Sequence, residues 1–296
     1  MASAAMIRAT AFGLDIWSDE QLAVLEGARA AQTGRSLDLT IDRYGFAARE
    51  WPAGSALIGR RPGPAGRDEF TIHADEQAGW RLRGGNYGEH WLSADGLRLI
   101  CKPARANVQD WQRFLVAQVL PFAAAVKGLE VMHASAVVLD GGAVVLLGAS
   151  GAGKTTLALA LCELGASFLA DDVLALATEN GRLWAHPGSP VAVVKDPAEH
   201  LIGVPGARRA VPLRAVVALE RGPGAPRRPA IAPLREARRL LAGTFNLMLR
   251  DGQRGSRLLE VCALAARGPV LQARAHPDCA APELAQALIA RLRRAP

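Results

Sequence analysis

Gly148-Ala149-Ser150-Gly151-Ala152-Gly153-Lys154-Thr155-Thr156 is the stretch whose reading decides the fold. It matches G-x-x-x-x-G-K-[ST], follows the apolar run Ala143-Val144-Val145-Leu146-Leu147, and leads into the helical pattern from Thr156 to Leu164. Strand, glycine turn and helix start, in that order, make a phosphate cradle. Glycines let backbone N–H groups converge on an anion, and the helix N-terminus adds the positive end of its dipole. Gly148, Ser150, Gly151, Ala152, Gly153 and Thr156 complete the cradle around Lys154, which is placed to reach the outer phosphates, and Thr155, which is placed to ligate Mg²⁺. A bare glycine-rich turn is the bland alternative, disfavoured because motif spacing and flanking context are both met. The stretch predicts binding of a nucleoside triphosphate, ATP with Mg²⁺.

Composition sets the wider frame. A chain of 296 residues, 50% hydrophobic, can bury a large core in one or two domains. No apolar run approaches a membrane span, and the first residues lack the basic-then-apolar order of a signal peptide. Cys101, Cys162, Cys262 and Cys279 lie far apart and form no C-x-x-C, which favours buried thiols in a reducing compartment over disulfides or zinc. The expectation is a cytoplasmic protein with no membrane association. The net charge of +7 comes from arginine, dense at Arg208-Arg209, Arg227-Arg228, Arg238-Arg239 and Arg291 to Arg294. Such an excess suits an acidic ligand or peptide, and a solvated arginine-rich surface accounts for most of it equally well.

The chain is read as dividing near residue 125, into an N-terminal accessory part (1–125) and a loop-bearing part (126–296). Before that point short alternating segments, Leu37 to Asp42, Glu69 to His73, Trp80 to Leu82 and Leu97 to Ile100, alternate with turns such as Pro62-Gly63-Pro64 and Asp95-Gly96. They predict a small antiparallel sheet, mostly-β in class. Five of the six tryptophans (Trp17, Trp51, Trp80, Trp91, Trp111) fall there and are expected mostly in its core. A helix follows with Val108, Trp111, Leu115, Val119 and Phe122 on one face. Pro223 to Pro233 reads as a loop.

Around the cradle the pattern is α/β with a mixed sheet. Ala134 to Leu139, a turn at Asp140-Gly141-Gly142, and Ala143 to Leu147 form a hairpin feeding the loop. Downstream, the strand Ser167-Phe168-Leu169-Ala170 ends in Asp171-Asp172, with Asp171 only 17 residues after Lys154. A second hairpin runs from Val173 to Ala177 and Arg182 to Ala185, turning at Asn180-Gly181.

Met132-His133-Ala134-Ser135, Gly148 to Thr156 and Leu169-Ala170-Asp171-Asp172 together resemble the catalytic domain of the HPr kinase/phosphorylase family, which shares its fold with phosphoenolpyruvate carboxykinase. The resemblance covers roughly residues 130 to 175. It is faint around His186-Pro187-Gly188-Ser189-Pro190 and Leu219-Glu220-Arg221-Gly222, and the family's Glu-x-Arg-Gly-x-Gly signature is incomplete. The departure puts HPr as substrate, and the reverse phosphorylase reaction, in question. Divergent relatives include kinases that phosphorylate a serine of a ribosomal peptide precursor, such as the lasso peptide kinases. The resemblance implies Asp171 as the base toward an acceptor hydroxyl, Asp172 on the metal side with Thr155, and His133 near the γ-phosphate or the acid pair. Without it, His133 reads as a core histidine.

A kinase of this kind must align a hydroxyl with the γ-phosphate, neutralise developing charge and accept a proton. Lys154, the loop and Mg²⁺ on Thr155 and Asp172 carry the charge, with Asp171, His133 and Lys154 as the catalytic set. Adjacent acids at a strand end point to opposite faces, so one of them points straight into the site unless the chain bends. A further cation is expected from Arg221, Arg250, Arg254 or Arg257, among which the sequence does not choose. Two readings compete. One is a kinase acting on a serine or threonine of a small protein or peptide, with a homo-oligomer compatible. The other is a nucleotide-gated binding module with vestigial chemistry. A nucleic-acid ATPase has only the basic charge in its favour, since no stacking pattern accompanies the site.

Overall fold

The computed structural model describes residues 6–28, 31–44, 51–63, 68–104, 108–195, 199–234, 243 and 252–294. Two compact units form, residues 1–128 with 246–254, and residues 129–245 with 255–296. Of the candidate cations, Arg250 and the Arg254 side chain lie outside what is described.

The first unit is built on eight strands: β1 (Ile7–Ala11), β2 (Leu14–Ser18), β3 (Ser36–Ile41), β4 (Ala56–Pro62), β5 (Asp68–Asp75), β6 (Gly79–Gly84), β7 (Gly88–Leu92) and β8 (Arg98–Lys102). They pair in the order β1-β2-β3-β8-β7-β6-β5-β4. The sheet is larger than the short alternating segments predict, and mixed: β3 lies parallel to both β2 and β8. These pairings join segments far apart in sequence, which local patterning does not register. Alternation is clean in β3, where Leu37, Leu39 and Ile41 are buried between exposed Ser36, Asp38 and Thr40.

A helix then runs as α1 (Val108–Phe114), a π segment (Leu115–Val119) and α2 (Leu120–Val126). Trp111, Leu115, Val119 and Phe122 of the stripe the sequence outlines are buried, and the Val108 side chain lies outside the described residues. Pro121, at the start of α2, has no N–H to donate one turn back, and the ladder widens to a π turn just before it. Trp91 and Trp111 are buried, but Trp17, Trp51 and Trp80 are only half-buried, so the tryptophans are less of a core than expected. Indole rings are large and amphipathic, and a sheet face seldom covers them completely.

The second unit carries β9 (Glu130–Met132), β10 (Ser135–Leu139), β11 (Gly142–Leu147), α3 (Lys154–Glu163), β12 (Ser167–Ala170), β13 (Leu174–Glu179), β14 (Arg182–His186), β15 (Val191–Lys195), β16 (Glu199–Gly203), β17 (Val211–Arg221), β18 (Ala230–Pro233), β19 (Val270–Ala275) and α5 (Ala281–Arg293), with most of α4 (Gly252–Ala265). Its main sheet runs β12-β10-β11-β17-β14-β13-β9, with β19 also on β17 and β18 on β19. β11, β17 and β19 are parallel neighbours, and the other pairs are antiparallel. The mixed sheet agrees with expectation. β18 does not: the last four residues of the Pro223–Pro233 stretch pair with β19, a partner some forty residues downstream. Its Pro233 is tolerated because β18 meets only one neighbour.

β11 is buried on both faces. Val144 and Leu146 join a core with Leu157 and Leu161 of α3 and Leu284, Leu288 and Leu292 of α5. Ala143, Val145 and Leu147 join a second core with Leu174 and Leu176 of β13 and Val261 and Ala265 of α4. That is why its sequence is an unbroken apolar run. Among the described residues, no helix is long and apolar enough to cross a membrane.

Candidate functional site

The rigid end of β11 delivers the 148–153 turn. A Cβ at Gly148 would stand 2.7 Å from the Leu219 carbonyl oxygen of β17, so only glycine lets the chain leave the sheet this closely. Gly153, at φ 85°, is the residue before α3, and no side chain caps that helix. Among the described residues no side-chain acceptor is seen on the first-turn N–H groups of α3, the condition under which a helix start receives an anion. Inside the turn, Ala152 N–H donates to the Ala149 carbonyl at 3.1 Å. Lys154 arches back over it, Nζ donating to the carbonyls of Gly148 (2.8 Å) and Ala149 (3.2 Å). Ser150, Gly151 and Thr156 are exposed, and Ala152 is half-buried.

The acid pair arrives on β12, antiparallel to β10. Thr155 Oγ1 donates to Asp171 Oδ1 at 2.9 Å and Oδ2 at 3.1 Å. Ser135 Oγ, on the fully buried Ser135 of β10, donates to Asp171 Oδ1 at 2.5 Å. The Val193 N–H of β15 donates to Oδ2 at 3.0 Å. Asp172 is different. Its backbone is left-handed (φ 64°), its side chain is exposed, and its carbonyl lies 3.3 Å from His133 Nδ1, which must carry the proton in that contact. The left-handed φ at Asp172 is where the chain departs from the extended geometry of β12. The carboxylate bonded to Thr155 is thus Asp171.

His133 sits between β9 and β10, its N–H donating to the Gly243 carbonyl at 2.7 Å. Thr155 is thus bonded to Asp171, and His133 to the backbone of the neighbouring Asp172, while Lys154 is bonded to the carbonyls of the turn. Of the candidate arginines, Arg221 at the end of β17 is seen against the turn: a Cβ on Gly153 would lie 3.3 Å from its Nη1. Its Nη2 donates to the carbonyls of His276, Pro277 and Cys279, and its buried Nε has no partner among the described residues.

Ser135 and Val193 were not marked by the sequence as site residues. Ser135 had one available signal, its place two residues after His133. Val193 acts through its backbone and had none. Gly188, within His186-Pro187-Gly188-Ser189-Pro190, packs on Ala170 and donates its N–H to the Leu169 carbonyl at 2.8 Å, bracing the strand that presents the acids. The thiols stand apart from this chemistry: burial pushes Cys101, Cys162 and Cys262 up, Cys162 to about 11, so none is a ready thiolate.

The family described as "SynChlorMet cassette protein ScmC" matches residues 100–246, just under half of the chain. Among solved structures, the chain is similar to the Hpr(Ser) kinase/phosphatase from Coxiella burnetii at 17% identity and a TM-score of 0.35, over 55% of this chain and 96% of that one. No curated protein matches the chain.

Proposed function

We propose that this protein is an ATP-dependent kinase that transfers the γ-phosphate to a serine or threonine hydroxyl of a small protein or peptide. The observation that carries the reading is the Thr155–Asp171 hydrogen bond at the start of an uncapped helix, beneath a turn over which Lys154 is folded. A plain strand-to-helix turn needs neither a lysine bonded to its carbonyls nor a half-buried carboxylate bonded to its threonine.

Each group has a physical task. The N–H groups at the start of α3 and Lys154 would hold the phosphates, Lys154 exchanging two carbonyl acceptors for phosphate oxygens. A hydroxyl and a carboxylate are hard oxygen donors, the set Mg²⁺ prefers, and Mg²⁺ on a triphosphate needs only one or two protein ligands. Thr155, with a carboxylate of the acid pair beside it, would hold the ion, which supplies charge neutralisation at the phosphates. In the transfer, the acceptor oxygen bonds to the γ-phosphorus and the bond to the β,γ-bridging oxygen breaks. ADP departs with that electron pair, and the hydroxyl proton passes to a carboxylate of the acid pair. Arg221, a fixed cation beside Gly153, would add to charge stabilisation.

Calorimetric titration with Mg·ATP tests the reading. The wild-type chain should bind, and Lys154→Ala should bind at least tenfold more weakly while keeping its melting temperature without nucleotide. Equal affinity in the two proteins would remove the basis of the proposal. Tight binding without label transfer from γ-labelled ATP to any neighbouring-gene peptide would favour a nucleotide-gated binding module.

A further inference from the structure

The sheet of the first unit has one covered face and one open one. Phe114 packs edge-on against Phe70 and stacks on His90, and Phe122 packs against Trp80, so the helix from α1 to α2 covers the face carrying these residues. On the opposite face, cross-strand pairing sets Trp17 beside Asp38, Asp38 beside Arg98, and Ile100 beside Trp91. Trp91 in turn lies beside Arg81, and Lys102, Glu89 and Arg83 form one row. The four central strands, β3, β8, β7 and β6, thus set four cations (Arg81, Arg83, Arg98, Lys102) against two carboxylates, Asp38 and Glu89. Glu89 is shared between Arg81 at 2.7 Å and Arg83 at 3.4 Å. Arg83 and Arg98 stay exposed.

A merely solvated face needs no tryptophans, whereas tryptophan with arginine is the combination enriched where proteins meet. A depression of about 640 Å³ opens on this face, lined by Met6, Trp17, Asp38, Thr40, Arg98 and Ile100, apolar side chains together with an exposed arginine. Trp91 Nε1 and Arg81 Nε are buried without an acceptor among the described residues. Both orphans are donors, so the unmet demand of this face is for acceptors. Nucleic-acid bases are a poor match, because a guanidinium already lies over each indole: Arg8 over Trp17 at 5.9 Å and Arg81 over Trp91 at 6.0 Å.

From this placement we infer that the open face of the first sheet docks an extended acidic segment of the peptide or protein acceptor. An apolar side chain of that segment enters the depression, and its carboxylates meet Arg83 and Arg98. That the docked chain is the acceptor rests on the kinase reading above; the surface itself does not. Docking of this kind holds ground state and transition state equally, so its loss raises KM and leaves kcat alone.

The test is fluorescence anisotropy of the full chain with a labelled peptide of three Glu-Leu-Gly repeats. Lys-Leu-Gly repeats, Glu-Ser-Gly repeats and a short oligothymidylate serve as comparisons. Wild type should bind the Glu-Leu-Gly peptide about tenfold or more tightly than any of the others. Arg83→Glu combined with Arg98→Glu should lose about tenfold or more of that affinity while keeping the affinity for Mg·ATP. Arg208→Glu combined with Arg209→Glu, an equal change of net charge at exposed positions of the second unit, should bind the peptide as wild type does. Equal loss in the two double variants, preference for the oligothymidylate, or no peptide binding at all would overturn the docking surface. Should the first double variant fail to fold, Arg98→Glu decides alone. A chain that binds this peptide but not Mg·ATP would remove the kinase reading and leave the surface standing, a different failure.

Discussion

The Thr155 hydroxyl donates to both oxygens of Asp171, at 2.9 and 3.1 Å, joining the first turn of α3 to the end of β12. The bond makes two elements into one site. Removing only the hydroxyl should separate its ligand role from its structural role. Thr155→Val is expected to cost about 1–2 kcal/mol of stability, because Asp171 keeps Ser135 and Val193 as partners. Mg²⁺-dependent tightening of ATP should nearly vanish, while Thr155→Ser retains it. Paired titrations with and without Mg²⁺ read the difference, and a Thr155→Val protein with undiminished metal dependence would contradict the assignment.

Arg221 binds three carbonyls with one nitrogen and lies against Gly153 with another. Arg221→Ala should strip those carbonyls of their donor and lower stability by about 1–3 kcal/mol. Arg221→Lys should recover part of that loss, since a single ammonium cannot span the same fork. Melting curves with ADP and with ATP check the second half of the expectation: the extra stabilisation by ATP over ADP should shrink in both variants.

The glycines of the turn should fail for different reasons. Gly148→Ala brings a Cβ within 2.7 Å of the Leu219 backbone, so strand β17 or the turn must shift. Gly151→Ala meets nothing within 4 Å and bears only the cost of a left-handed backbone at φ 80°, about 1–2 kcal/mol. Denaturant titration should show Gly148→Ala as the more damaging, and ATP binding should be lost in it first.

His90 gives the first unit an acid sensitivity. Its ring is buried against Phe114, 5.6 Å between centroids, and burial pulls its pKa down to about 3, with the Tyr87 backbone acting weakly the other way. The unfolded chain takes up a proton below about 6.5 and the folded chain does not. The stabilisation is therefore complete above that value and declines as pH falls toward 3. Going from pH 7 to pH 5 should cost about 2 kcal/mol. Tryptophan-monitored denaturation at both pH values, for wild type and His90→Phe, isolates this part: the variant should lack the extra decline.

Much of the site could be read from the chain because it is local. The strand, turn and helix around Gly148 to Thr156 lie within some twenty residues, and the apolar run of β11 announces burial on both faces. The acid pair was visible as the end of the next strand. Which acid meets Thr155 was not, because that depends on donors from β10 and β15. The parallel pairs of the first sheet and the β18–β19 pair were hidden for a related reason. They join distant segments, whereas period and turn signals report only neighbours.

Because β11, β17 and β19 run parallel, their C-terminal ends share one rim. The 148–153 turn, Arg221 with the segment after it, and the 276–279 turn all emerge there, and Arg221 ties the last to the first. The opposite ends and the two cores carry none of this. On the kinase reading proposed above, changes of length or composition in the 222–229 and 276–280 segments would alter which molecule is admitted, while the strands beneath would keep the position of the 148–153 turn.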